Sequence, residues 1–220
     1  MTINEHPGSS AVRYSAGDRL IAMNAAHDAF RRDLRRMAIS ATPTNLRDPS
    51  RYQSVLSGWN IFKHQLHIHH SHEDRFLWPR MRQRAANNDS ALSMLDEMES
   101  EHGLIDPLLA AVDAGFERPE NVDVAAVIDE LTSKLSFHLG HEERDAMPFI
   151  GEVISDQEWT RVVHDIRKAT KLSSAAEFMP WLTDGTSAAQ TKVIASIMPA
   201  PARVVLRRVW KPRYDKVSHW

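Results

Sequence analysis

Apolar side chains recur at three- and four-residue spacing over four long stretches, the signature of amphipathic helices. The first runs from about Asp18 to Ile39, with Leu20, Met23, His27, Phe30, Leu34 and Met37 on one face and Asp18 placed to cap it. Ser40 to Pro49, with two prolines, Asn and Asp, reads as a loop. A second stripe, from about Ser50 to Ala86, carries Val55, Trp59, Phe62, Leu66, His69, Glu73, Phe76 and Leu77, and Pro79 is expected to kink it. A third helix, capped by Asp89 or Ser90 and running to about Ala114, aligns Ala91, Leu95, Met98, His102, Ile105 and Leu109, with Pro107 suggesting a bend. After a loop over Gly115 to Val122, the fourth, from about Asp123 to Ile150, aligns Val124, Ile128, Leu131, Leu135, His138, Glu142 and Phe149.

Four such helices with short connections predict an all-α chain, an up-down-up-down four-helix bundle over residues 17–154. Residues 1–16 read as a flexible leader. Beyond 155 the pattern breaks into short helical patches around Pro180, Gly185, Pro199 and Pro201, predicting a C-terminal helical extension packed on the bundle.

Composition narrows the chemistry. The chain has no cysteine, which excludes disulfides, thiolate metal sites and thiol catalysis, so any metal must be held by nitrogen and oxygen. A net charge of −2 points to no polyanionic partner, and no nucleic acid is expected. Met1 to Gly17 lacks a signal-peptide stretch and no run is long enough to span a membrane, so the expectation is a cytoplasmic protein without stable membrane insertion. Residues 201–220 interleave Trp210, Tyr214 and Trp220 with six basic residues. Such a tail could meet an anionic surface, but the expected role is aromatic packing on the bundle with the charges in solvent.

One segment occurs twice, 69 positions apart: His69-His-Ser-His72-Glu73-Asp-Arg75-Phe-Leu-Trp-Pro79 and His138-Leu-Gly-His141-Glu142-Glu-Arg144-Asp-Ala-Met-Pro148. In each, a His and a Glu stand one helical turn apart on the same face. At roughly 100° per residue, His69 and Glu73 fall in the middle of the apolar stripe. His70 and His72 fall on opposite flanks, and His64 and His67 point outward. The same projection turns His138 and Glu142 inward, with His141 and Glu143 to the sides, and places His27 and His102 on apolar faces. A single inward histidine is ordinarily a hydrogen-bonded core residue. Four of them around two buried glutamates, with no Lys or Arg at the stripe centres, call for a cation, because an uncompensated buried carboxylate costs several kcal/mol. Imidazole and carboxylate suit iron, manganese or zinc. Asp106, four residues after His102, repeats the one-turn geometry and is a further candidate ligand; its alternative role is to precede the bend at Pro107.

These residues resemble the hemerythrin-like, or HHE cation-binding, family over roughly residues 18–150: His27, the His69–Pro79 run, Glu101-His102 and the His138–Pro148 run occur in the family's order. The tail, particularly Val209-Trp210-Lys-Pro-Arg-Tyr214, is also similar to that of actinobacterial members. The resemblance implies two iron ions bridged by carboxylates, with His27, His69, His102 and His138 as terminal ligands and Glu73 and Glu142 as bridges. Oxygen-carrying members have five histidines, two of them one turn apart on the third helix, whereas this chain has His102 there with Asp106 as the possible partner. A carboxylate in that position favours oxidised irons and argues against reversible oxygen carriage.

The implied function is therefore binding, sensing or detoxification of O2, peroxide or a related small ligand. An alternative is a di-iron enzyme that decomposes hydrogen peroxide or oxidises an organic substrate, for which His72 and His141 are candidate proton-moving groups. Iron storage or a structural metal bundle is a third reading, disfavoured by the absence of an acidic run suited to mineral nucleation.

Overall fold

A computed structural model describes residues 18–118, 122–170 and 172–220, with the backbone alone at Leu172. The leader expected over 1–16 lies outside these residues. Those described are helical, with no strand among them. Helix α1 (Ile21–Ser40) is followed by a one-turn α2 (Pro43–Arg47) and then α3 (Pro49–His72). The stretch expected to be a loop thus contains a short helix, because Thr42 caps it with Pro43 in its first turn, and Asp48 then caps α3 ahead of Pro49. Asp18 accepts the N–H of Leu20 at 2.8 Å, which orders the turn before α1 rather than capping the helix itself.

Two of the long helices contain a widened turn. After α3 the chain makes a π turn, Glu73–Leu77, before α4 (Trp78–Arg84). After α5 (Asp89–Glu117, capped by Asn88), α6 (Val124–His141, capped by Asp123) passes into a second π turn, Glu142–Ala146, before α7 (Met147–Val153). Pro79 and Pro148 lie two residues beyond these turns. A proline has no N–H to give the carbonyl four residues back and its ring crowds that carbonyl. An i→i−5 bond, here Trp78 N–H to the Glu73 carbonyl and Met147 N–H to the Glu142 carbonyl, relieves both problems. The extra residue advances the helical phase, so Ile150 is fully buried and Phe149 partly exposed, and Trp78 rather than Phe76 points inward, unlike a straight projection.

Helix α1 packs against α3 and α6, and α5 against the same two, closing a ring of four. Along α5, and along α3 and α6 with the turns that follow them, the polar inward residues fall between two apolar clusters. One is built on Phe30, Trp59, Phe62, Ile105 and Leu135, and the other on Trp78, Met81, Leu95, Met98 and Ile150.

The remaining elements are α8 (Asp156–Ala169), α9 (Leu172–Leu182), α10 (Ala188–Ala195), α11 (Ala200–Val205), a third π turn (Leu206–Trp210) and α12 (Lys211–Tyr214). Helices α9 and α10 lie on α1, and α8 on the first π turn. Polar contacts reinforce this docking. The buried Trp181 indole donates to Asp33 at 2.7 Å, and Arg32 donates to the Trp181 and Asp184 carbonyls at 2.9 and 2.8 Å. At the end of the chain Trp220 donates its N–H to the Ser54 carbonyl at 3.0 Å, and its indole fills the space that a side chain at position 58 would need, which requires Gly58 there. Trp210, Tyr214 and Trp220 all pack against the main apolar cluster.

Candidate metal centre

Two groups of ligand-type atoms meet at the middle of the ring. His27, His69, Glu73 and Glu142 form one; His70, His102 and His138 form the other. In the first, His27 Nε2 lies 3.2 Å from His69 Nε2 and 3.1 Å from Glu142 Oε2, and His69 Nε2 lies 3.1 Å from Glu73 Oε1. In the second, His102 Nε2 is 3.2 Å from His138 Nε2, and the His70 ring stacks on His102 with centroids 3.9 Å apart. Glu73 joins them, because its other oxygen, Oε2, stands 3.7 Å from His102 Nε2.

The outward nitrogens of three of these rings are held by carboxylates. Glu143 lies 3.0 Å from His27 Nδ1, Asp74 3.0 Å from His102 Nδ1, and Glu101 2.8 Å from His138 Nδ1. A carboxylate accepts, so Nδ1 carries the proton and Nε2 presents its lone pair to the interior, the tautomer a metal ligand needs. Arg31 steadies Glu143 at 2.6 Å, and Glu101 also accepts from His141 Nδ1 at 2.8 Å.

The electrostatics separate the two glutamates. Burial pushes the Glu73 carboxyl well above the usual range, and the Glu142 charge pushes it further. Burial acts on Glu142 in the same sense, but the charge of His27, 3.1 Å away, followed by His69 and His138, outweighs it and pulls the carboxylate down to about 2. His27 responds reciprocally: burial favours its neutral form, yet Glu142 and then Glu143 raise it above its ordinary value. His69 and His70 are driven well below theirs, by burial first and then by His27 and His102 respectively. Glu142 thus lies against His27, while burial disfavours charge on Glu73, His69 and His70.

Both oxygens of Glu73, both of Glu142 and Nε2 of His70 are buried without a hydrogen-bond partner. Leaving one such group unmet costs about 1–3 kcal/mol, and more for a charged one. All of them belong to the two groups, and a cation in each would engage them together. The donor set therefore fits hard or borderline metal ions bound through imidazole and carboxylate.

Six of the seven sequence-predicted residues converge here: His27, His69, Glu73, His102, His138 and Glu142. Asp106 does not. It is exposed, one turn further along α5 beside Pro107, and outside both groups among the described residues. A fifth imidazole, His70 on α3, which the projection left on a flank, stands beside His102 and His138. A centre with two foci is wider than one helical stripe, so residues 100° apart, His69 and His70, face one focus each. The adjacent histidines ahead of Ser-His-Glu were the available signal. The supporting roles of Asp74, Glu101 and Glu143 were also missed, since each reaches a ring on another helix.

The architecture and this cluster define a helical protein with a buried, cysteine-free His/carboxylate cation site. The chain belongs to the hemerythrin HHE cation-binding domain family, whose model matches residues 19–150. No curated protein and no solved structure matches it. The family match ends before α8, and no helix among the described residues is long and apolar enough to cross a membrane.

Proposed function

We propose that this chain is a non-haem di-iron protein that binds or reacts with O2, peroxide or a related small ligand. The observation that carries the reading is the pair of abutting donor groups joined by Glu73, with their carboxylate oxygens buried and unpartnered. In this reading His27 and His69 would hold one iron, His70, His102 and His138 the other, and Glu73 and Glu142 would supply carboxylates to the pair. The ring of α1, α3, α5 and α6 is taken as an up-down-up-down four-helix bundle over 17–154, with 155–220 as an appended extension. Bound irons would supply a coordination site for a diatomic or peroxide ligand and the capacity to exchange two electrons with it.

The protein's own residues prepare that site. Asp74, Glu101 and Glu143 fix the imidazole tautomers, and the two apolar clusters on either side limit water. Burial and the Glu142 charge disfavour ionisation of Glu73, so metal uptake through this carboxylate is expected to depend on pH. Glu101, hydrogen-bonded to both His138 and His141, links the centre to a ring that also approaches the half-buried Asp145 at 3.4 Å. Taking His70 rather than Asp106 as the further ligand, this reading keeps reversible oxygen binding beside peroxide turnover. A second reading, oxidation of an organic substrate, is favoured by the apolar cavity whose wall includes His69 and Glu73.

Metal analysis and optical spectroscopy test the proposal. Iron should co-purify, and the reduced protein exposed to oxygen, or the oxidised protein exposed to peroxide, should gain a visible charge-transfer band. Oxygen evolution from peroxide would identify turnover. Substoichiometric iron after growth in iron-rich medium, unchanged in His69→Ala and Glu142→Ala, would overturn the reading.

A further inference from the structure

A cavity of about 550 Å³ separates α1 and α3 from the C-terminal extension, and its wall is overwhelmingly apolar. Helix α1 lines it from Ala22 to Phe30 and α8 from Trp159 to Arg167. Each span is eight residue steps, roughly 12 Å at the helical rise, so about two turns of each helix border the slot. Met23, Met179 and Met198 contribute flexible thioethers that adapt to an alkyl chain, and Trp159 and Trp210 contribute indoles. Along α3 the wall includes His69 and Glu73, residues of the metal centre.

The polar groups of the slot are unequally committed. Arg19 is held by the Ile150 and Ile154 carbonyls at 3.0 and 2.9 Å and by Asp156 at 3.2 Å. Arg167 is exposed, and its bond to the Ile197 carbonyl is stretched to 3.5 Å. The slot thus combines a hydrocarbon-lined interior with a guanidinium able to turn toward a carboxylate. Its volume lies in the range of ligand sites for small organic molecules. The alternative occupant within this chain, Met1 to Gly17, is a polar sequence poorly suited to such walls.

We propose that the slot binds a medium-chain fatty acid, its carboxylate on Arg167 and its alkyl chain lying along α1 and α8 past His69 and Glu73. The site itself needs no metal; its bearing on the reactivity of the centre rests on the di-iron reading.

The probes are 12-bromododecanoic acid and 1-bromododecane, whose bromine quenches tryptophan fluorescence on contact, added to the full-length protein as purified with its metal content measured on the same sample. The acid is expected to quench saturably, with part of the quenching lost in Trp159→Phe and Trp210→Phe. Ala22→Phe on α1 and Ala175→Phe on α9, which fill the slot from two different helices, should each weaken binding at least tenfold without changing metal content or melting temperature. Arg167→Ala should weaken the acid and leave bromododecane unaffected. No saturable quenching, or quenching indifferent to both filling variants, overturns the site. Equal binding of bromododecane and acid overturns the fatty-acid assignment, and binding that appears only after removal of residues 1–17 shows that the chain itself occupies the slot. Because quenching and metal content are read separately, loss of one leaves the other proposal standing.

Discussion

At Glu73–Leu77 and at Glu142–Ala146 the chain makes the same widened turn, ending two residues before a proline. In both, the acidic residue after the glutamate reaches to a histidine of a neighbouring helix: Asp74 to His102 on α5, Glu143 to His27 on α1. The copies differ one residue after their leading histidine. The first has His70, which joins His102 and His138; the second has Leu139, which is fully buried in the apolar core. They differ also in what covers them. The first turn is packed by α8 and borders the slot, with Arg80 donating to Asp165 at 2.7 Å, whereas the second faces α5. A repeated motif therefore supplies a common scaffold, and single side chains decide what each copy contributes.

The comparison can be broken most severely at the glutamates. Glu142→Ala removes the carboxylate 3.1 Å from His27 Nε2 and is expected to abolish metal binding; Glu73→Ala should do the same while disturbing the metal-free fold less, because burial and Glu142 oppose the charge of Glu73 whereas His27 supports that of Glu142. Metal analysis and thermal melting separate the two. Next in size, His70→Leu makes the first copy resemble the second and should release the metal of the all-imidazole group while leaving that of the other. Retention of both metals in His70→Leu would return the chain to four imidazole ligands.

Smaller effects are expected from the acidic neighbours. Asp74→Ala and Glu143→Ala should each lower metal affinity by about 10–100-fold, measured by competition with a chelator, and similar losses would show that the copies are equivalent at this level. Glu143 also predicts a pH dependence. Burial opposes its ionisation, but His27 and Arg31 hold its carboxylate down to about 2, below its ordinary 4.5. Its contribution to stability is present above pH 4.5 and is lost as the pH falls toward 2, so a wild-type minus Glu143→Gln difference in melting temperature should shrink over that window.

The least costly change is expected at the cover of the first copy. Asp165→Ala removes a half-exposed ion pair and should cost roughly 0.5 kcal/mol, visible as a small decrease in melting temperature without loss of metal. Asp184, which burial alone would raise but Arg36 pulls below its ordinary 3.8, clasps the extension to α1. Its share of stability is full above that value and is lost as acid carries the pH through the lowered one.

Much of this was legible in residue order. The spacing of apolar positions located the long helices to within a few residues, and the inward histidines followed from the same period. The prolines were visible, but their outcome was not: Pro79 and Pro148 produce widened turns that shift phase, which is why Phe149 and Ile150 exchange the roles a straight helix would assign. Asp106 satisfied the one-turn rule and still faces solvent. His70 failed the central-stripe rule and is buried beside two other imidazoles.

The sequence by itself determined the elements, the absence of thiolate chemistry, and a donor set of imidazoles and carboxylates, because these depend on composition and on contacts within one helical turn. Which side chains converge, which carboxylate orients which ring, and how the extension leaves a slot against His69 and Glu73 were decided by tertiary structure. Each of those depends on the distance between atoms on different helices, and a periodicity along one helix holds no record of it.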